Sequence, residues 1–143
     1  MFAQLRFKLI VWFGRFHGMV LRKSGGRLMY RLIGLNMLLL STKGRRTGRY
    51  RDNPLLYVEH NGNYYSAASF GGNDNHPSWF LNLSLNPEVT ILVNRKHLSA
   101  IAHVTSEPER TQAWDSLVKC HPGFKNYKKR TTRIIPVVRF DPE

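Results

Sequence analysis

Between Arg51 and Ser69 two short runs of strand-forming residues flank His60-Asn61-Gly62-Asn63, and Asn-Gly between such runs signals a tight hairpin. The pattern recurs downstream, where Val89 to Val93 and Leu98 to Thr105 flank Asn94-Arg95; in the second run Leu98, Ala100, Ala102 and Val104 alternate with Ser99, Ile101, His103 and Thr105. Interruptions this short hold a turn but no crossover helix, so the flanking strands must be antiparallel neighbours. Met37 to Thr42 and Ile134 to Phe140 bring the total to about six strands. Helices are expected over residues 1–23, from Pro77 to about Leu85, and from Pro108 to about Cys120 behind a Ser106 cap. Hairpins with helices inserted late predict an α+β fold, an antiparallel barrel or open sheet, rather than alternating βαβ units.

At 143 residues the chain is one domain, 1–143, in which a helical segment (1–34) precedes a core (35–143). The lone Cys120 excludes a disulfide framework and a cysteine-rich zinc site, and histidines 17, 60, 76, 97, 103 and 121 lack metal-binding spacing, so no metal is expected. The net charge is +13, and twelve of the 22 lysines and arginines precede Asp52, the first acid. That asymmetry calls for an anionic partner: nucleic acid, a lipid surface or a phosphorylated cofactor. No nucleic-acid-binding motif is present, so nucleic acid is not expected.

Residues 1–23 carry Phe2, Leu5, Leu9, Trp12, Phe13, Phe16 and Val20 at helical spacing, against Arg6, Lys8, Arg15, Arg22 and Lys23 on the other face. The longest apolar run, Leu9 to Phe13, is far short of the roughly 18 residues that a membrane span needs, and no signal-peptide cleavage site follows. Two readings stay open: the helix lies on an anionic bilayer surface, or its apolar stripe covers part of the domain's own core.

Between the first two core strands lies STKGRRTGRYR, residues 41–51, with Lys43, Arg45, Arg46, Arg49 and Arg51 and no acid. Gly44 and Gly48 would turn backbone N–H groups toward one point, and the arginines would add forked donors for phosphate oxygens. The spacing is not that of a Walker A loop, and a solvated turn tip is the alternative. ASFGGNDNHPSWFLN, residues 68–82, joins a strand end, a glycine pair and a helix start, a second place for an anion or a ring carbonyl. No His or Asp is placed to activate Ser69 as a triad nucleophile. Trp79 and Leu81 also fit the core, and Asn82 a cap or a satisfied polar group.

The order LLLSTKGRRTGRYRDNPLLYV, AASFGGNDNHPSWFLNLSLNPEVTI, HPGFKNYKKRTTRIIPVV resembles the deazaflavin-dependent nitroreductase family, the A branch of the flavin/deazaflavin oxidoreductases, over roughly residues 37–140. The resemblance implies a split β-barrel, like that of FMN-binding proteins, that binds coenzyme F-420 rather than FMN. It assigns Lys43, Arg45, Arg46, Thr47 and Arg51 to the cofactor's phosphate region, and Asn53, Pro54, Leu55, Ala67, Ala68, Ser69, Gly71 and Gly72 to the deazaflavin ring, with Trp79 and Asn82 nearby. Ser69 and Tyr127 become the catalytic candidates, and Phe16, Trp79, His121, Phe124 and Tyr127 the acceptor side. Phe70 stands where members often carry lysine, and His121 and Phe124 stand where the nitroreductase has tyrosines. The implied activity is hydride transfer to a hydrophobic acceptor such as a quinone, enone or nitroaromatic, in the cytoplasm or at the membrane's cytoplasmic face through residues 1–23. A noncatalytic cofactor- or lipid-binding barrel is the alternative.

Overall fold

The structure, a computed structural model, describes residues 2–28, 30–32 and 34–143. A long helix α1 (Phe2–Ser24) leads through a short strand β1 (Arg31–Leu32) into the hairpin of β2 (Leu35–Lys43) and β3 (Tyr50–Leu56). Strands β4 (Val58–His60) and β5 (Asn63–Ala67) follow, then a 3-10 turn (Phe70–Gly72) and α2 (Ser78–Leu85). The hairpin β6 (Glu88–Val93) and β7 (Lys96–Val104), helices α3 (Glu109–Cys120) and α4 (Gly123–Arg130), and β8 (Val137–Pro142) complete the chain.

All the pairings are antiparallel, in the order β3-β2-β6-β7-β8-β5-β4, with β1 paired to the start of β2. The end strands β3 and β4 are separated in sequence by Tyr57 alone, so the sheet's two edges are one bent stretch of chain and the sheet curls back on itself. The Ser66 hydroxyl donates to the Leu56 carbonyl at 2.8 Å and the Tyr57 N–H to the Asn36 carbonyl at 3.2 Å, which holds the bend. The single strand expected over Arg51 to Glu59 is therefore two, and with β1 the count among the described residues is eight rather than about six.

Alternation along the strands sorts side chains onto two faces. Leu38, Leu40, Val89, Ile91, Val93, Ala100, Ala102, Val138 and Phe140 fill the interior, and Trp79 and Leu83 of α2 pack into the same cluster. Outside, Trp114, Leu117 and Phe124 of α3 and α4 pack on Tyr65, Ala67 and Val137. On the β2–β6 side Leu21 of α1 meets Leu39 and Leu92. Gly18 also faces the sheet, where a Cβ would make ordinary contacts with Leu39 at 3.4 Å and Pro54 at 3.6 Å.

The docking face of α1 is therefore Phe7, His17, Gly18 and Leu21, not the stripe expected from the sequence. Leu5, Leu9, Trp12, Phe13 and Phe16 are 41% to 67% exposed, which overturns the reading in which they cover the domain's core. The Phe2 side chain lies outside the described residues. Other boundaries moved for local reasons. Ser106 makes no side-chain cap; its carbonyl accepts the Arg110 N–H at 2.9 Å, and α3 starts at Glu109. Glu109 itself anchors α3 to the sheet, accepting from the Tyr65 hydroxyl at 2.9 Å and from Arg139 at 2.8 Å. The last strand begins at Val137 rather than Ile134, which is 75% exposed.

Candidate functional site

The basic turn spends its own N–H groups. Gly44 N–H donates to the Arg49 carbonyl at 2.8 Å, Gly48 N–H to the Gly44 carbonyl at 2.9 Å, and Arg49 N–H to the Thr47 hydroxyl at 3.3 Å. The glycines thus close the turn instead of aiming amides at a ligand, a correction to the sequence reading. Gly48 supplies a positive φ of 71°, and a Cβ on Gly44 would stand 2.9 Å from the Arg49 carbonyl oxygen. Anion binding here draws on the arginine side chains.

One of these is pre-oriented. The amide oxygen of buried Asn82 on α2 accepts from both the Arg45 N–H (3.2 Å) and the Arg45 guanidinium (3.0 Å), while its NH2 donates to the buried Thr42 hydroxyl at 3.1 Å. Arg46, Thr47, Arg49 and Arg51 are exposed. Register separates the rest: Arg51 lies opposite Thr42 and so on the face toward α2, whereas Lys43 lies opposite Tyr50 on the other face. By the same alternation Asn53 and Leu55 share the inner face with Leu40 and Leu38, while Pro54 is turned toward α1 beside Leu39. Asp52, the acid nearest the cluster, accepts from Ser41 and is ion-paired with Arg22 of α1. It is thereby kept from neutralising the arginines of the turn.

The loop from Ala68 to His76 is held by a residue that the sequence reading missed. Arg133 donates from Nε to the Asn73 carbonyl at 2.8 Å, from Nη2 to the Ala68 and Ser69 carbonyls at 3.1 and 2.9 Å, and approaches His76 Nδ1 through Nη1 at 3.3 Å. Burial, followed by the neighbouring Arg133 charge, holds the His76 imidazole below its ordinary pKa of 6.5, so at neutral pH its ring nitrogen is free to accept. Arg130 adds a bond to the Gly71 carbonyl at 3.3 Å and Thr131 one to Asp74 at 2.8 Å. Gly72, at φ 81°, faces no ligand: a Cβ would stand 2.7 Å from the Tyr127 carbonyl oxygen, so glycine here permits contact with α4. Gly71 lies beside Phe7 of α1, whose ring is 5.8 Å from that of Phe70.

These contacts bring together pieces far apart in the chain. The basic turn is tied to α2, α2 follows the glycine loop, that loop is zipped to α4, and α1 reaches its outer side. Ser69 is buried at the loop's start, and Tyr127 is half-buried across the Gly72 contact. The Tyr127 hydroxyl lies 3.3 Å from His121 Nε2, and the rings of His121, Phe124 and Tyr127 form an aromatic group with centroids 5.2 to 5.8 Å apart. Of the residues assigned to the acceptor side, Trp79 and Phe124 are buried in the interior and outer cores, and Phe16 stacks on Trp12 on the exposed face of α1. Ala68 is likewise fully buried.

Residues 12–142 match the F420H(2)-dependent quinone reductase family. A Mycobacterium tuberculosis protein named F420H(2)-dependent quinone reductase is 34% identical over 128 residues, which cover 87% of this chain and 86% of the relative. Among solved structures, one described as an F420-H2 dependent reductase (FDR-A) is 36% identical with a TM-score of 0.68 over 73% of this chain and 93% of that one. Another, described as a domain-swapped dimer, is 32% identical with a TM-score of 0.69 over 85% and 96% of the two chains.

Proposed function

The chain belongs to the F420H(2)-dependent quinone reductase family, and we propose that it reduces quinones with F-420, holding the cofactor's acidic part on the basic turn. The observation that carries the assignment is electrostatic. Arg45 is held in place by Asn82, and among the described residues Arg46, Arg49 and Arg51 of the same turn are paired with no carboxylate, while Asp52 is engaged by Arg22. A ligand with several negative charges fits this donor set better than FMN, whose charge is confined to one phosphate. The curled antiparallel split barrel and the FDR-A likeness agree with that cofactor.

When bound, reduced F-420 supplies a hydride, which leaves the protein to orient the acceptor and move a proton. The cofactor-holding residues are Arg45, Arg46, Thr47 and Arg51, with Lys43 at the margin of the turn. Asn53, Leu55 and the Ser69-to-Gly71 segment would hold the ring. Ser69 and Tyr127 hydrogen-bond the acceptor oxygen.

Titration of F-420 fluorescence with wild type and Arg46→Ala tests the cofactor assignment. Hydrogen bonds to a charged partner are worth roughly 1.5–3 kcal/mol, so the variant should bind about ten- to a hundredfold more weakly. Equal affinity would move the phosphate elsewhere. F-420 binding without turnover of any quinone would favour the noncatalytic barrel.

A second reading concerns the membrane. No described helix is long and apolar enough to cross one. The exposed residues Leu5, Leu9, Trp12, Phe13 and Phe16, with Arg6, Lys8 and Arg15 on the same helix, support attachment of α1 to an anionic bilayer surface, where lipophilic quinones reside. Co-sedimentation with vesicles should rise with anionic lipid, fall with salt, and drop for Trp12→Glu. Unchanged binding of that variant would remove the idea.

A further inference from the structure

His121 is placed with more care than packing requires. Its N–H closes the end of α3 by donating to the Leu117 carbonyl at 2.9 Å, and its own carbonyl accepts the Phe124 N–H at 3.1 Å, so its backbone is fixed from both sides. The ring then lies over Gly123. A Cβ at that position would stand 2.7 Å from His121 Nε2 and 3.0 Å from Cε1. Gly123 is not among the positive-φ glycines, so its backbone conformation does not call for glycine; its missing side chain leaves the space that the imidazole occupies. Four residues on, one helical turn above Gly123, the Tyr127 hydroxyl lies within hydrogen-bond distance of that same Nε2, at 3.3 Å. The edge-on Phe124 ring, 5.2 Å away, fixes the imidazole's tilt. On Tyr127's own ring sits the Arg130 guanidinium, 5.5 Å from the centroid, which attracts negative charge developing on the phenol.

We infer that His121 is a proton relay behind Tyr127, a role distinct from contact with the acceptor. The inference rests on the quinone-reductase reading and on Tyr127 as its proton donor. Reducing a quinone to a hydroquinone takes two electrons and two hydrogens: a hydride from reduced F-420 and one proton from the protein. The Tyr127 O–H bond breaks as the acceptor's O–H bond forms. Tyr127 oxygen regains a proton from His121 Nε2–H while Nδ1 takes one from solvent, so the imidazole stays neutral and changes tautomer, and exchange with solvent restores the starting form. The overall reaction would balance as quinone plus reduced F-420 giving hydroquinone plus oxidised F-420, the proton drawn from solvent through His121 being matched by the one that the cofactor would release on oxidation.

The test combines two variants with a measurement that needs no cofactor. Nitrogen-15 NMR of the His121 imidazole in the cofactor-free protein should show Nε2 shifting on Tyr127→Phe; no shift would remove the hydrogen bond and the relay with it. His121→Ala should lower kcat for a short-chain quinone by about ten- to a hundredfold while F-420 affinity stays within threefold, and added imidazole should restore several-fold of the loss. His121→Phe keeps the aromatic packing and should be as slow as the alanine variant, without rescue, which also covers the case in which His121→Ala fails to fold. Wild-type kcat in His121→Phe, or no response of His121→Ala to imidazole, would make His121 a packing residue only. A wild-type protein that turns over no quinone refutes the functional reading itself, and that outcome is distinct from either variant behaving as wild type.

Discussion

Replacing Arg133 by methionine should destabilise the whole fold by removing the clamp on the glycine loop. Methionine keeps the stem but removes every donor, and three carbonyls, those of Ala68, Ser69 and Asn73, lose a charged partner at 2.8 to 3.1 Å. Hydrogen bonds to a charged group contribute roughly 1.5–3 kcal/mol each when well buried, but this arginine is half-exposed, so about 1 kcal/mol each is the fairer figure. The expected loss is about 3 kcal/mol, with the Ala68 carbonyl the costliest because that residue is fully buried. Lysine, a compact donor, cannot reach from Ala68 to Asn73 as a planar fork does, so Arg133→Lys should recover no more than half. Urea unfolding followed by the fluorescence of Trp79 and Trp114 measures this directly, with a lower midpoint at unchanged slope. For a chain this size the melting temperature should fall by roughly 10 °C. An Arg133→Met protein within about 0.5 kcal/mol of wild type, the usual range for an inert surface change, would refute the clamp.

The same loop should respond to pH. Because His76 is held below 6.5 in the fold, the unfolded chain takes up its proton first as pH falls; the stability is complete above 6.5 and is lost as pH drops through the folded-state value. His76→Gln should flatten that part of the stability profile, and an unchanged slope would place the titration elsewhere. Gly72→Ala meets both a positive φ and the Tyr127 carbonyl, so calorimetry should show a loss of more than about 1 kcal/mol; a neutral result would contradict the packing of α4 on the loop. Asn82→Ala should cost about 1–3 kcal/mol and weaken F-420 binding several-fold by releasing Arg45, whereas full affinity in a folded variant would show that Arg45 needs no holding.

Much of the fold was legible in local signals. Asn61-Gly62 and Asn94-Arg95 do make hairpin turns, with Asn61, Gly62, Asn94 and Arg95 all at positive φ, and the alternation in β7 sends Ala100 and Ala102 inward as written. The basic turn and the glycine block were visible because both are made of side-chain types confined to a few residues. What stayed hidden depends on contacts across the chain. The bend at Tyr57 that closes the sheet has no glycine or proline to announce it; it follows from Ser66 and Asn36, on neighbouring strands, supplying hydrogen bonds at that point. The face that α1 buries was misjudged because its apolar stripe is the larger, while the face that docks is a narrow one carrying His17, Gly18 and Leu21. Arg133 looked like one more cation in KKRTTR, since the groups it binds are backbone carbonyls about sixty residues earlier, and every residue carries one. A sequence displays its side chains, so it could specify the strands, the turns and the charge of the site. The peptide groups that those side chains find become partners only when distant segments meet, and that was left to the tertiary structure.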